Sequence, residues 1–296
     1  MAIKLSLAST VALAWSTCIG TVQAQLDPEA LWPLQQYEST SIQTPFLNVT
    51  KSGKTEPGYL FITPLDVLRG PIGHPAIYED NGELIWQGEE ANAFALQPQM
   101  LDGEPVLTYW NGSLNTTGFG IGSVHVLNSS YDEIYKVTLG GDQNLRTVYE
   151  PETFESYIDL HENTITDQGS MLVMGTNVSQ ADLRSVGGPK DGWVITYLVY
   201  EIDVKTNKIL FSWNPLDHLD QLPFTLSRYP LYDAGRTPSY PWNWIHLNSI
   251  GKYGDSYLIS SRYMCSVIFI KKDGSVSWYL DVRQTFPPGC CSNSCT

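Results

Sequence analysis

One rhythm of short strands and polar turns occurs four times along this chain, and few folds can absorb such a repeat. The first unit runs YLFITP (59–64) and PAIYEDNGELIWQG (75–88), the second PVLTYWNG (105–112) and GSVHVLNSSYDEIYKVTL (122–139). The third runs HENTITDQGSMLVMGT (161–176) and LVYEIDVKTNKILFSWN (198–214), the fourth HLNSIGKYGDSYLISSRY (246–263) and SVIFIKKDGSVSWYLD (266–281). Alternating or apolar runs rich in Val, Ile, Tyr and Trp suit half-buried strands. Each unit closes on a hairpin with a polar turn, EDNGE, NSSYDE, DVKTNK or KKDGS, and Asn81-Gly82 and Asp273-Gly274 supply the positive φ that tight turns need. Trp86, Val137, Trp213 and Trp278 follow the turns, at a position expected to pack between neighbouring sheets. Helical periodicity is nearly absent, and Gly188-Pro189 and the 215–241 stretch read as long loops. The expectation is an all-β chain, a β-propeller built of four-stranded blades. A β-sandwich competes, but gives no reason for matched motifs in successive units.

Such a motif exists. His161-Glu162-Asn163-Thr164 and His246-Leu247-Asn248-Ser249 both read His-x-Asn-Ser/Thr, and each precedes a Gly-containing turn and an apolar run. The chain has only five histidines. In a propeller the innermost strands line one channel, so a residue recurring at one inner-strand position converges with its counterpart. Arg262 ends the run YLISSR, and a hairpin returns it close to His246. Two imidazoles and a guanidinium would clamp a tetrahedral oxyanion such as sulfate or phosphate, with the Asn248 amide donating to the same oxygens. The rival reading is structural, with each histidine merely bonding backbone between strands. Asp159 either orients His161 or caps its strand. Trp110, Trp242 and Trp244 are candidates to stack an aromatic substrate, with packing favoured for Trp110. His125, alternating with Val124 and Val126, reads as an exposed strand residue, His74 as a loop residue, and Asp217-His218 as structural.

Composition narrows the class. Lys4, the apolar run 5–19 and Val22-Gln23-Ala24 make residues 1–24 a secretory signal peptide. Residues 25–55, with Pro28, Pro33 and Pro45, read as an irregular N-terminal segment, 56–282 as an incomplete propeller, and 283–296 as an atypical Cys-rich tail. The net charge of −14 argues against nucleic acid and anionic membrane surfaces, and no later stretch is apolar enough to span a bilayer. Sequons at Asn48, Asn111, Asn115, Asn128 and Asn177 suit a glycosylated, extracellular protein. CCSNSC lacks paired Cys spacing and a nearby His, so no metal site is expected, and no cofactor motif is evident.

The blocks DLHENTITDQGSMLV (159–173), YLVYEIDVKTNKILFSWNPLDH (197–218), WNWIHLNSIGKYGDSYLISSRY (242–263) and IKKDGSVSWYL (270–280) resemble the arylsulfotransferase family, in particular its secreted fungal branch. YWNG (109–112) and GFGIGSVHVLNSSYDEIYKV (118–137) resemble its earlier blades. The resemblance implies a six-bladed propeller and sulfuryl transfer from a phenolic sulfate to a phenol, with no nucleotide donor. It implies double displacement through a sulfated histidine, with His161, His246, Asn248 and Arg262 as the oxyanion clamp. Here the sequence departs from the pattern: the family's nucleophilic histidine lies beyond the match to Arg262, and residues 263–296 contain no histidine. The chain therefore reads as a C-terminally truncated member with about four blades. Two further readings remain: a non-catalytic propeller binding a ligand or protein at its channel face, and an enzyme of this fold running another His-dependent reaction on aromatic metabolites.

Overall fold

The computed structural model describes residues 34–35, 37–38, 41–42, 44–64, 73–89, 91–114 and 118–281. The expected signal peptide, the Cys-rich tail and Asn115 lie outside these residues. The chain divides into two units, 1–48 and 49–296. In the first, β1 (Leu34–Gln35) pairs antiparallel with β2 (Thr44–Pro45), a short ladder in a segment expected to be irregular.

The second unit is all-β. β3 (Tyr59–Ile62), β4 (Ala76–Glu79) and β5 (Leu84–Gln87) form a three-stranded antiparallel meander. A four-stranded meander follows: β6 (Ala93–Leu101), β7 (Glu104–Leu114), β8 (Gly120–Leu127) and β9 (Glu133–Val137). The next comprises β10 (Ile158–Ile165), β11 (Ser170–Ala181), β12 (Gly192–Asp203) and β13 (Ile209–Trp213). β14 (Trp242–Asn243) lies parallel to β12, and β15 (Leu247–Tyr253), β16 (Ser256–Ser261), β17 (Ser266–Ile270) and β18 (Val276–Asp281) form the last meander. One residue pair, Ile158 with Gly122, joins the two middle meanders into a single sheet. Among the described residues no sheet closes on itself.

β6, which carries Pro98 in its interior, was not among the expected strands. Pro is tolerated there because, among the described residues, β6 is an edge strand of its sheet, the place where strands accept it. The 215–241 stretch is more ordered than a plain loop. It contains two 3₁₀ turns, and the Gly235 carbonyl accepts from the Trp193 amide at 2.8 Å.

Aromatic residues tie neighbouring meanders together. Trp110 is fully buried, its Nε1–H donates to the Ile158 carbonyl at 2.9 Å, and its ring lies over Gly112 and Gly120. A Cβ on Gly112 would stand 2.6 Å from that ring and 2.3 Å from the Ile121 oxygen, so only glycine admits the indole. Of the four positions after the turns, Val137 and Trp213 are buried, and Trp213 Nε1–H donates to the Gly274 carbonyl at 3.0 Å across to the last meander. Trp86 stacks on Tyr131 at 4.7 Å. Trp278 departs from the expectation. It is 47% exposed on β18, which among the described residues pairs only with β17, and it stacks on Phe269 of its own sheet.

Candidate functional site

The two His-x-Asn motifs converge, and each does so through a strand irregularity. In β10 the pairing with β11 shifts between Ile158 and Asn163, freeing residues 159–162 from the ladder. Such a bulge re-aims side chains. Asp159, fully buried, accepts through Oδ2 from the Gly120 amide at 3.0 Å. Its Oδ1 accepts from the His161 amide at 3.1 Å and from His161 Nδ1–H at 2.5 Å. It therefore both holds the backbone and orients the ring. With its proton on Nδ1, a neutral His161 keeps its lone pair at Nε2.

In the fourth unit the ladder shifts between Leu247 and Ser249, and His246 adopts φ 42°. A side chain other than glycine seldom takes that conformation without a local reason. The reason is the hairpin closure: the Arg262 amide donates to the His246 carbonyl at 2.8 Å and the Tyr263 amide to the Ile245 carbonyl at 3.3 Å. The sequence expectation that Arg262 returns beside His246 is met at the backbone. His246 is 1% exposed, and Asn243 Nδ2–H donates to its Nδ1 at 3.1 Å, which puts the ring proton on Nε2. Burial, reinforced by the nearby His161 and the Arg262 charge, pushes its pKa down to about 3. The ring is neutral at any physiological pH.

The His161 and His246 ring centroids lie 5.2 Å apart at 84°. Tyr197 contacts both, at 6.0 Å from His161 and 5.2 Å from His246, and Tyr263 stands 4.9 Å from His246. The exposed Arg262 carries its guanidinium 5.7 Å from the Tyr263 ring. Among the described residues, the Tyr197 hydroxyl, Asn243 Oδ1 and His246 Nε2 are buried without hydrogen-bond partners. Burial above all, with the Asp159 charge adding to it, raises the Tyr197 pKa well above its ordinary value. The Asn243 amide, near the hydroxyl but not bonded to it, works the other way. The phenol thus stays a neutral donor. Unpaired buried donors cost free energy, and a ligand oxygen would recover it.

The two motif asparagines differ. Asn163 is buried and structural: its Oδ1 accepts from Gln97 at 2.5 Å and Thr108 at 3.2 Å, and its Nδ2–H donates to the Ala95 carbonyl at 3.1 Å. Asn248 is half-buried and makes no side-chain hydrogen bond among the described residues. Glu162 ties the two strands together, accepting from the Ile250 amide at 3.2 Å.

The remaining candidates fall elsewhere. His125 is not exposed as expected: its side chain is 13% accessible, stacked on Tyr109 and bonded to Glu133 at 2.5 Å. His74 bonds the Gly88 carbonyl, and His218 stacks on Trp213. Trp110, Trp242 and Trp244 are all buried packing residues, which removes them as substrate platforms. Asn48 is exposed, Asn111 is half-buried in β7, Asn128 accepts from the amides of Ser130 and Asp132, and Asn177 accepts from the Arg146 amide. Cys265 is disulfide-bonded. Sequence reasoning missed Tyr197, Asn243 and Tyr263. Asn243, three residues before a motif histidine, and Tyr263, directly after Arg262, carried a positional signal, whereas Tyr197 reads as ordinary strand filler in YLVYEI.

Residues 97–284, well over half the chain, match a protein family described as Arylsulfotransferase (ASST). No curated protein matches the chain. Among solved structures, a protein of unknown function from Bacteroides caccae is similar at 12% identity and a TM-score of 0.37. That match covers 76% of this chain and 58% of the other, and so distant a likeness decides nothing about fold or function.

Proposed function

The chain belongs to the arylsulfotransferase family, and on that premise we propose that it transfers a sulfuryl group from a phenolic sulfate to a phenol at the site of His161, His246 and Arg262. The carrying observation is the pair of imidazoles from different meanders, 5.2 Å apart, with Arg262 hydrogen-bonded across the hairpin from one of them. In this reading the four meanders are propeller blades, with His161 on the inner strand of one and His246 directly before the inner strand of the next.

His246 Nε2–H, the Arg262 guanidinium and the Asn248 amide hold the sulfuryl oxygens, and their charge complementarity favours a loose transition state. As the donor S–O bond breaks, its electron pair goes to the leaving phenolate oxygen, and the sulfur forms a new bond to the acceptor oxygen. His161, with Nδ1–H held by Asp159, is the proton carrier: its Nε2 takes the acceptor's proton and returns it to the phenolate. We further propose that the protein is secreted and glycosylated. The leader-like 1–24 segment and the sequons support this, with Asn48 the most accessible of the described sites.

The test is sulfation of phenol with 4-nitrophenyl sulfate as donor. His246→Ala and Arg262→Ala are each expected to lower kcat/KM by roughly 10²-fold or more. Near-wild-type rates for both variants would remove these residues from the reaction.

A further inference from the structure

A cavity of about 370 Å³ lies beside His246, sharing Asn243 and Tyr263 with its surroundings, and the 229–241 segment forms much of its wall. Phe119, Tyr229, Tyr232, Tyr240 and Tyr263 line it, and none of its described lining residues is charged. The volume falls at the small end of the roughly 300–1,000 Å³ typical of small-molecule pockets. Tyr263 joins cavity to site: it stacks on Tyr229 at 4.3 Å and meets the His246 ring edge-on at 4.9 Å. Asn243, which fixes the His246 tautomer, also lines the cavity.

The wall is built before any ligand arrives. The Arg228 amide donates to the Tyr263 carbonyl at 2.6 Å, Trp242 Nε1–H to the Tyr229 carbonyl at 3.1 Å, and the Gly235 amide to the Tyr240 carbonyl at 2.8 Å. Two aromatic side chains nevertheless stand out in solvent, Tyr232 at 76% and Tyr240 at 59% exposed. Tyr232 also holds φ at 43°, a costly conformation for a bulky residue. Exposed rings on a pinned, strained segment beside an uncharged aromatic cavity are poor for solubility and good for covering a planar apolar ligand.

We propose that this cavity is the aryl subsite, and that it selects uncharged phenols of one or two rings while rejecting phenols that carry a carboxylate. The charged sulfuryl group would lie at the Arg262 side and the ring among the tyrosines. A carboxylate on the ring would be carried among the tyrosines, away from Arg262, where no described lining residue is a cation to pair it, at a desolvation cost. The role in turnover rests on the sulfuryl-transfer reading; the binding preference does not.

The experiment separates the two. Binding of 2-naphthol and of 6-hydroxy-2-naphthoate to the full chain is measured by calorimetry at pH 7, alongside sulfation of 2-naphthol by 4-nitrophenyl sulfate. The expected result is 2-naphthol bound at one site, with the carboxylated analogue at least about tenfold weaker. The Tyr232→Ala/Tyr240→Ala double variant should weaken 2-naphthol by roughly tenfold, from two lost ring contacts. Both side chains are exposed, so the variant keeps its fold. Absent 2-naphthol binding, equal binding of the two naphthols, or binding indifferent to the double variant overturns the subsite. Binding with these preferences but no sulfation leaves the subsite standing and refutes the transfer reading. Sulfation with a KM for 2-naphthol unmoved by the double variant does the reverse.

Discussion

Holding His246 as a neutral, buried imidazole couples the stability of the fold to pH. Its ordinary pKa is 6.5 and the folded value is about 3, with burial the largest cause. Below pH 6.5 the unfolded chain takes up a proton that the folded chain refuses, so acid favours unfolding. The contribution is fully present above 6.5 and is lost at about 1.4 kcal/mol per pH unit on the way down. By pH 5 the loss is about 2 kcal/mol. Because pH 5 is still above the folded value, the size of that loss is set by the ordinary pKa alone. The assay is urea unfolding of wild type and His246→Gln at pH 7 and pH 5. Other groups titrate alike in both proteins and cancel in the double difference. Wild type should lose about 2 kcal/mol more than the variant between the two pH values. Equal losses would mean that His246 takes up its proton in the folded state, and the description of a dry, neutral donor would be wrong.

Three other outcomes follow from contacts already described or close to them. Glu201 is 3% exposed, and although burial opposes its ionisation, hydrogen bonds from Lys252, Ser170 and Tyr257 outweigh that and lower its pKa. Glu201→Gln should cost about 3 kcal/mol by denaturant titration. The part of that advantage linked to ionisation should be present above the ordinary carboxylate pKa and be lost as pH falls through the lower folded value. Gly112→Ala places a Cβ 2.3 Å from the Ile121 oxygen and should cost at least about 3 kcal/mol, read as a lowered Tm. Asp159→Asn should lower kcat by roughly 10²-fold with KM little changed, since it disturbs the His161 tautomer and not ring binding.

The hairpins were legible because their chemistry is local. Asn81-Gly82 and Asp273-Gly274 announce tight turns, and both turns occur. The meeting of His161 and His246 was legible because repetition of a motif in a repeat fold implies a shared position. The different fates of Asn163 and Asn248 were not, because the partners of Asn163, Gln97 and Thr108, lie more than fifty residues away in sequence. β6 carries Pro98, whose compatibility with a strand depends on whether that strand is an edge, and this is set by distant segments. His125 was misplaced because alternation with valines does not reveal Tyr109 stacked over its ring. The 215–241 stretch looked like an insertion because its order comes from single hydrogen bonds to distant backbone, which leave no periodicity.

The proposed reaction is transfer of a sulfuryl group from one phenol to another. The most direct measurement is a mass balance: the full chain is incubated with 4-nitrophenyl sulfate, with and without phenol, and 4-nitrophenol, phenyl sulfate and inorganic sulfate are quantified together. The account predicts phenol-dependent release of 4-nitrophenol matched by an equal amount of phenyl sulfate. No release from a folded protein, or release matched only by inorganic sulfate, would contradict it.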